Sequence, residues 1–286
     1  MAFETFIPTY WSEGINRDIE RLCVFAEDCN RQYEGEVKKA GDQVNILGVG
    51  KPLIKTLARD SASGNIDGPE EVEDTSVALK IDQIRYFNYM VGDIDKAQAV
   101  GGIMDALSKE TSEGLANSVD KYIANFALEA GNKLYNAAQK VVAENPASGE
   151  KAILDVVDAA ILWMREHDIP YTTEIVLDAS PRFVSMLRKA YILRDTDNSK
   201  MMLNGRVGMY GNVTIKESNN VAKTDSGATD NIMLRTKRAI AYAQPVTHTE
   251  AYRPEQKFAD AVKGFILFGG KIVRPNELLN INVKYA

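Results

Sequence analysis

The sequence predicts an α+β fold built on one very long helix, with an extended two-stranded ribbon before it and a mixed module of helices and strands after it. Three observations carry this. Apolar residues recur at helical spacing between Asp93 and Gly131. Strand-like patterns flank a glycine-rich stretch from Gly48 to Asp74. Helix and strand signals then alternate beyond Pro146, the pattern of an α+β module.

The helix has the clearest signature. Ala97, Val100, Met104, Leu107, Leu115, Val119, Tyr122 and Phe126, with Thr111 completing the row, fall mostly three or four residues apart. Asp93 and Asp95 are N-cap residue types. Such a helix is roughly 50 Å long, which suits a thin plate better than a compact enzyme. Gly101, Gly102 and Gly114 inside it each cost about 1 kcal/mol relative to alanine, so a bend or a close contact is expected there.

From the start of the chain, Phe3, Phe6, Pro8, Tyr10 and Trp11 form an aromatic arm too short to make its own core, so it has to lie on the body or on a neighbour. Ser12 caps a helix whose buried face is Ile15, Ile19, Leu22, Cys23 and Ala26, ending near Asn30. Strand-like residues follow around Gly35 and from Gly41 to Ile46. The stretch from Gly48 to Asp74, with Gly50, Pro52, Gly64, Gly68 and Pro69, has no periodicity and is long for a structureless connection, which points to a functional or mobile insertion. Strands are expected at Gln43 to Leu47 and Thr75 to Val91, giving a ribbon that is marginal alone and seeks a partner on another subunit.

After the long helix the pattern predicts a weaker helix from Leu134 to Ala143 and a joint at Ala147-Ser-Gly. A second amphipathic helix uses Ile153, Val156, Val157, Ala160, Ile161, Trp163 and Met164 and stops at His167-Asp168-Ile169-Pro170. A buried strand covers Glu174 to Asp178. Ser180 then caps a helix with Pro181 at its first position, spanning Arg182 to Ala190. Strands are expected at Gly205 to Ile215 and Ile232 to Ala243, around a polar loop from Asn219 to Asn231, and again at Gly264 to Phe268 and Lys271 to Val273.

Composition narrows the function. The net charge is −6 with no Lys/Arg-rich run, which argues against a dedicated nucleic-acid or membrane-surface binder. No apolar run approaches the ~18 residues of a membrane span. Cys23 and Cys29, six apart, match neither a CxxC site nor a disulfide framework and read as reduced, partly buried thiols of a cytoplasmic product.

Motifs of chemistry are weak. Gly264 to Lys271 has the wrong spacing and an apolar middle for a phosphate loop, and Gly48-Val-Gly50 lacks a third glycine. Only two histidines occur. His167 beside Asp168 fits a helix end better than half a triad. Asp93 with Asp95 and Asp195 with Asp197 fit capping and turns better than a divalent ion, and Asn212-Val-Thr214 fits a glycosylation sequon of no consequence in a cytoplasmic product. Nothing assembles a nucleophile, base and oxyanion site, and no cofactor is expected. Glu70, Glu71, Glu73 and Asp74 share the insertion with Lys51, Lys55 and Arg59. They read either as a solvated loop or as opposite charges that set register between subunits.

In this order of parts the sequence resembles the tailed-bacteriophage major capsid proteins of the Hong Kong 97-like fold. The resemblance spans essentially the whole chain. It rests most on Tyr33-Glu-Gly-Glu36 with Gly41-Asp-Gln-Val-Asn-Ile46, on Lys80 to Phe87, on Val91-Gly-Asp-Ile-Asp95 and on the glycine-bounded strand Gly208 to Asn219. It implies an N-terminal arm and helix over 1–40, an extended loop over 41–80, a peripheral domain with the spine helix over 81–146 and 246–286, and an axial domain over 147–245. It further implies a virion coat protein, assembled in the bacterial host cytoplasm as hexamers and pentamers of an icosahedral shell. The shell would enclose double-stranded DNA without sequence specificity, with a separate scaffolding protein and a portal as partners. Inter-subunit contacts would come from Phe3, Phe6, Tyr10, Trp11, Lys51, Lys55, Arg59, Glu70, Glu71 and Glu73. Lys51 and Lys55 lie where some members crosslink, but no partner motif is matched. The alternatives are an encapsulin-type compartment shell, and a cytoplasmic enzyme with an unrecognised site.

Overall fold

The computed structural model describes residues 23–34, 43–49, 74–92, 103–193, 209–210 and 212–285. In chain order the elements are strands β1 (Gln43–Val49), β2 (Asp74–Lys80) and β3 (Gln83–Gly92), and helices α1 (Ile103–Ala124) and α2 (Phe126–Glu129). Next come β4 (Gln139–Val142), β5 (Glu150–Ala152), α3 (Ile153–Glu166), β6 (Ile175–Ala179) and α4 (Pro181–Leu193). The chain finishes with β7 (Met209–Tyr210), β8 (Val213–Glu217), β9 (Ala222–Thr224), β10 (Thr229–Thr236), β11 (Ile240–Tyr252), β12 (Ala259–Ile272) and β13 (Leu278–Tyr285).

Of the expected apolar row, helix α1 buries Leu115 and Val119 and half-buries Leu107, Thr111 and Tyr122; Ile123, which that row omits, is buried beside them, while Ala97, Val100, Gly101, Gly102 and the Met104 side chain lie outside the described residues. Its 22 residues span about 33 Å. It is not continuous to Gly131: the helix breaks at Asn125, and α2 is a separate turn whose buried Phe126 and Ala127 join the same core. The expected bend or close contact at Gly114 is absent. A β-carbon there would meet nothing within 4 Å, and the helix continues unbroken through it.

The largest sheet runs β5-β4-β13-β10-β6-β8-β7, with β9 also paired to β10. Strand β10 is buried along its whole length because it is flanked on both edges and covered on both faces. Alternation separates its side chains. Ile232 and Leu234 face one way, with Leu177, Ile215, Leu279 and Ile281 from neighbouring strands, into a core closed by α3 and α4. Met233 faces the other way, towards α1. Ser180 is the N-cap of α4, its hydroxyl accepting the Phe183 amide at 3.4 Å, and Pro181 opens the helix as expected.

The second sheet, β11-β12-β3, is antiparallel and covered on one face by α1. A bulge at Gln244 and Pro245 interrupts the β11 ladder, on an edge strand where proline removes no pairing. The third is the two-stranded ribbon β1-β2, antiparallel from Gln43↔Lys80 to Val49↔Asp74.

Several expectations need correction. Leu134 to Ala143 is not helical: it holds a loop tied to Asn280 and then β4, which gains its hydrogen bonds from β13 and β5. The strand expected over Thr75 to Val91 is two strands, parted at Ile81 and Asp82, so that one belongs to the ribbon and the other to the three-stranded sheet. The loop expected over Asn219 to Asn231 contains β9 and the start of β10. Gly269 and Gly270 mark no turn but lie inside β12. The C-terminal strands divide between two sheets, β12 pairing with β3 and β13 with β10.

Candidate assembly surfaces and their buried anchors

The expected contact residues Phe3, Phe6, Tyr10, Trp11, Lys51, Lys55, Arg59, Glu70, Glu71 and Glu73 all lie outside the described residues, as do Asp93, Asp95, Asp195 and Asp197. What the structure describes is how the segments that carry them are rooted.

The first root is residues 23–34, wedged between α1, the large sheet and β11. Asp120, on the inward row of α1, accepts the Val24 amide at 2.9 Å and the Phe25 amide at 3.1 Å. From the other side Arg235 of β10 donates to the Phe25 carbonyl at 2.8 Å, to the Asp28 carbonyl and to Cys29 Sγ. Its Nε lies 2.8 Å from Asp178 Oδ2, and both side chains are 0 % exposed. Lys216 places its Nζ 2.6 Å from both Glu27 Oε2 and Asp28 Oδ2, and Lys237 bridges Asp28 and Glu174. Asn30 then pairs with β11, donating to the Ile240 carbonyl and accepting from the Tyr242 amide. The segment is therefore held through its backbone by a helix and two sheets at once.

Cys23 and Cys29 are buried free thiols donating to the carbonyls of Ala116 and Phe25, as the reduced reading expects. Burial lifts Cys29 to about 11, against the pull of Arg235. That makes the thiol a poor nucleophile.

Asp120 makes this anchor sensitive to pH. Burial raises its pKa from 3.8 to about 6, although the Val24 and Phe25 amides oppose the shift. A carboxyl raised on folding takes up its proton earlier in the native than in the unfolded chain. Its ionisation therefore weakens the fold above pH 6, and its protonation adds stability as the pH falls from 6 towards 4. We expect the stability difference between the native chain and Asp120→Asn to shift by up to about 3 kcal/mol in favour of the native chain over that window. Urea unfolding at several pH values measures it, and a flat difference would refute it.

The second root is the base of the ribbon. Val44, Ile46, Leu79 and Ile81 pack on Ala241, Ala243 and Leu267 of the three-stranded sheet. Contact is closest at Gly269, where a β-carbon would stand 2.1 Å from the Lys80 carbonyl oxygen and 2.9 Å from Ile81 Cα. Beyond this base the same sheet face is open. Tyr86, Phe265 and His248 form one cross-strand row on it, Tyr86 being 81 % exposed, and Ile84 and Met90 flank the row on edge strand β3. Phe258, at the entry to β12, is 87 % exposed. The row is parted from Met90 by Asn88, Lys263 and Glu250 on the same face, and exposed apolar side chains beside a ten-residue edge strand suit a surface that neighbours cover.

His167 takes the helix-end role expected of it, its Nδ1 lying 2.8 Å from the Trp163 carbonyl and its ring stacked on the Trp163 indole. Asn212 bonds the carbonyls of Tyr171 and Thr173. Among the described residues no group of three or more His, Cys, Asp or Glu side chains is placed to hold a metal ion, and no helix is long and apolar enough to cross a membrane.

The buried ionic groups were missed by sequence reasoning, though traces exist. Asp178 ends an otherwise apolar buried strand, Arg235 follows Ile-Met-Leu in another, and Asp120 falls one turn after Ala116 on the inward row.

The chain as a whole matches solved structures in fold. One from Mycobacterium phage Che8 is 27% identical, with a TM-score of 0.69, over 91% of this chain and 90% of that one. The capsid structure of cyanophage P-SCSP1u has a TM-score of 0.68 at 15% identity, over 92% and 88%. This is the Hong Kong 97-like capsid fold. The same fold extends to a virus-like particle from Pyrococcus furiosus, with a TM-score of 0.58 at 8% identity over 96% and 99% of the two chains. No protein-family model matches the chain, and comparison with curated proteins finds no match.

Proposed function

We propose that this chain is the major capsid protein of a tailed phage, a non-catalytic tile whose copies join as hexamers and pentamers into a virion shell around double-stranded DNA. Assembly takes place in the host cytoplasm with a scaffolding protein and a portal. The observation that carries the reading is the match in fold, end to end, to phage capsid structures. The exposed Tyr86, Ile84, Met90 and Phe258 of the three-stranded sheet support it, because a tile needs surfaces that only neighbours complete. Within this reading residues 1–40 are the arm and its helix, 41–80 the extended loop, 81–146 with 246–286 the peripheral domain and 147–245 the axial domain. The aromatic arm residues and the mixed charges of residues 51–74 are the contacts between copies.

Electron microscopy of purified particles, with and without nuclease, tests it. Shells protecting DNA are expected from phage-producing cells. DNA-free shells loaded with protein would favour a cargo compartment, the second reading, which the Pyrococcus particle keeps in view. A chain that sediments only as a small oligomer, even with scaffold co-expressed, would reject both. The loop has its own test. Because Val49 pairs with Asp74, residues 50–73 can be replaced by Asn-Gly, the pair favoured in a two-residue hairpin turn. The shortened chain is expected to fold with an unchanged melting temperature and to form no shells.

A further inference from the structure

Helices α3 and α4 lie side by side over one face of the large sheet and share one core, α3 against β5 and β13, α4 towards β8. Their outward faces are opposite in charge. On α3 the exposed positions Asp155, Asp158, Leu162 and Glu166 follow helical spacing and carry three acidic groups. On α4 the exposed charges are Arg182, Arg188 and Lys189, and the helix contains no acidic residue. Arg188 reaches Glu217 of β8 at 3.2 Å and Arg182 stacks over the Tyr285 ring, so neither leans on α3. The acidic helix also ends in an apolar knuckle. Leu162 and Tyr171 are exposed, Arg165 stacks on the Tyr171 ring at 4.6 Å, and the same guanidinium donates to the carbonyls of Ile169 and Pro170. Aromatic groups and arginine held rigidly at a surface are typical anchors of a protein interface.

We propose that the acidic face of α3 in one copy docks against the basic face of α4 in the next, head to tail around the axis of each ring of copies. The occupant of each face is thus a second copy of this chain, and the proposal rests on the shell reading above. Two different patches that complement each other repeat the same contact at every step, and the chain of contacts ends when the rotation closes. Opposite charges fix the order and direction of copies, while the knuckle supplies buried contact area. The contact weakens with salt, since its charges are exposed and screened within about 8 Å at physiological ionic strength.

Charge exchange on the full-length chain tests this. Asp155→Lys with Glu166→Lys makes both faces basic, and Arg182→Glu with Lys189→Glu makes α4 acidic, two glutamates standing against Arg188. Each pair of changes is expected to cut the yield of rings and shells about tenfold or more, measured by sedimentation and native mass spectrometry. All the positions are exposed, so the melting temperature should move by less than about 3 °C. Combining the four changes restores opposite charges with their signs exchanged and is expected to recover assembly, which an unfolded chain could not do. Paired variants that assemble like the native chain, or a fourfold variant as defective as its parents, overturn the helix contact and leave the shell reading standing. A native chain that never forms large assemblies defeats the shell reading, and this proposal with it.

Discussion

Replacing Arg235 with alanine is expected to lower stability by about 3–5 kcal/mol, the cost of leaving a buried carboxylate without its partner. Asp178 and Arg235 are both wholly buried, and burial already pushes the Asp178 pKa up against the pull of the guanidinium. Asp178→Ala leaves the opposite charge uncompensated and should cost a similar amount through the pair alone. The two differ in what else they release. Arg235 also donates to the Asp28 carbonyl, which would lose this partner, and to the Phe25 carbonyl, which would keep only the weak Cys29 thiol donor. Exchanging both members for apolar groups, Asp178→Leu with Arg235→Met, often restores stability at a buried pair. Here it should recover only part, because the guanidinium's bonds to the Asp28 and Phe25 carbonyls are not replaced. Limited proteolysis should then cut within residues 23–34 first. A double variant as stable as the native chain would show that the arm contacts of Arg235 contribute nothing.

The second large effect is expected at Gly269. In Gly269→Ala the new methyl group meets backbone, the Lys80 carbonyl oxygen and Ile81 Cα, not the tip of a flexible side chain. Overpacking ordinarily costs about 1–3 kcal/mol where side chains can give way. A backbone contact of this kind should lie at or beyond the upper end. Gly114→Ala is the matched control: with open space around it inside α1, it should stabilise by about 1 kcal/mol. Opposite signs from the same substitution, read by chemical unfolding, would establish that one glycine is required by packing and the other merely tolerated. Equal effects would refute it.

How far the sequence could be read depended on how local the cause was. Helix α4 is announced by Ser180 and Pro181, and α3 by its apolar row, because caps and periodicity act within a few residues. Leu134 to Ala143 misled for the complementary reason. Its leucine and alanines suit a helix, yet Val141 and Val142 suit a strand, and β4 is decided by hydrogen bonds to β13, whose residues lie some 140 positions later. The close approach that demands Gly269 likewise comes from a distant strand, so the glycine read as a turn. At the anchors, each member of the Asp120, Asp178 and Arg235 set reads singly as an unremarkable charge. Only the tertiary fold brings them around one stretch of backbone.

Between the ribbon and the three-stranded sheet there are only two residues, Ile81 and Asp82, and Ile81 is buried against the same packing that Gly269 makes so close. A lever mounted on a seized pivot cannot swing. Under the shell reading proposed above, the base of the ribbon would leave every copy along one bearing, and any adjustment between differently placed neighbours would come from farther out or from rotation of whole copies.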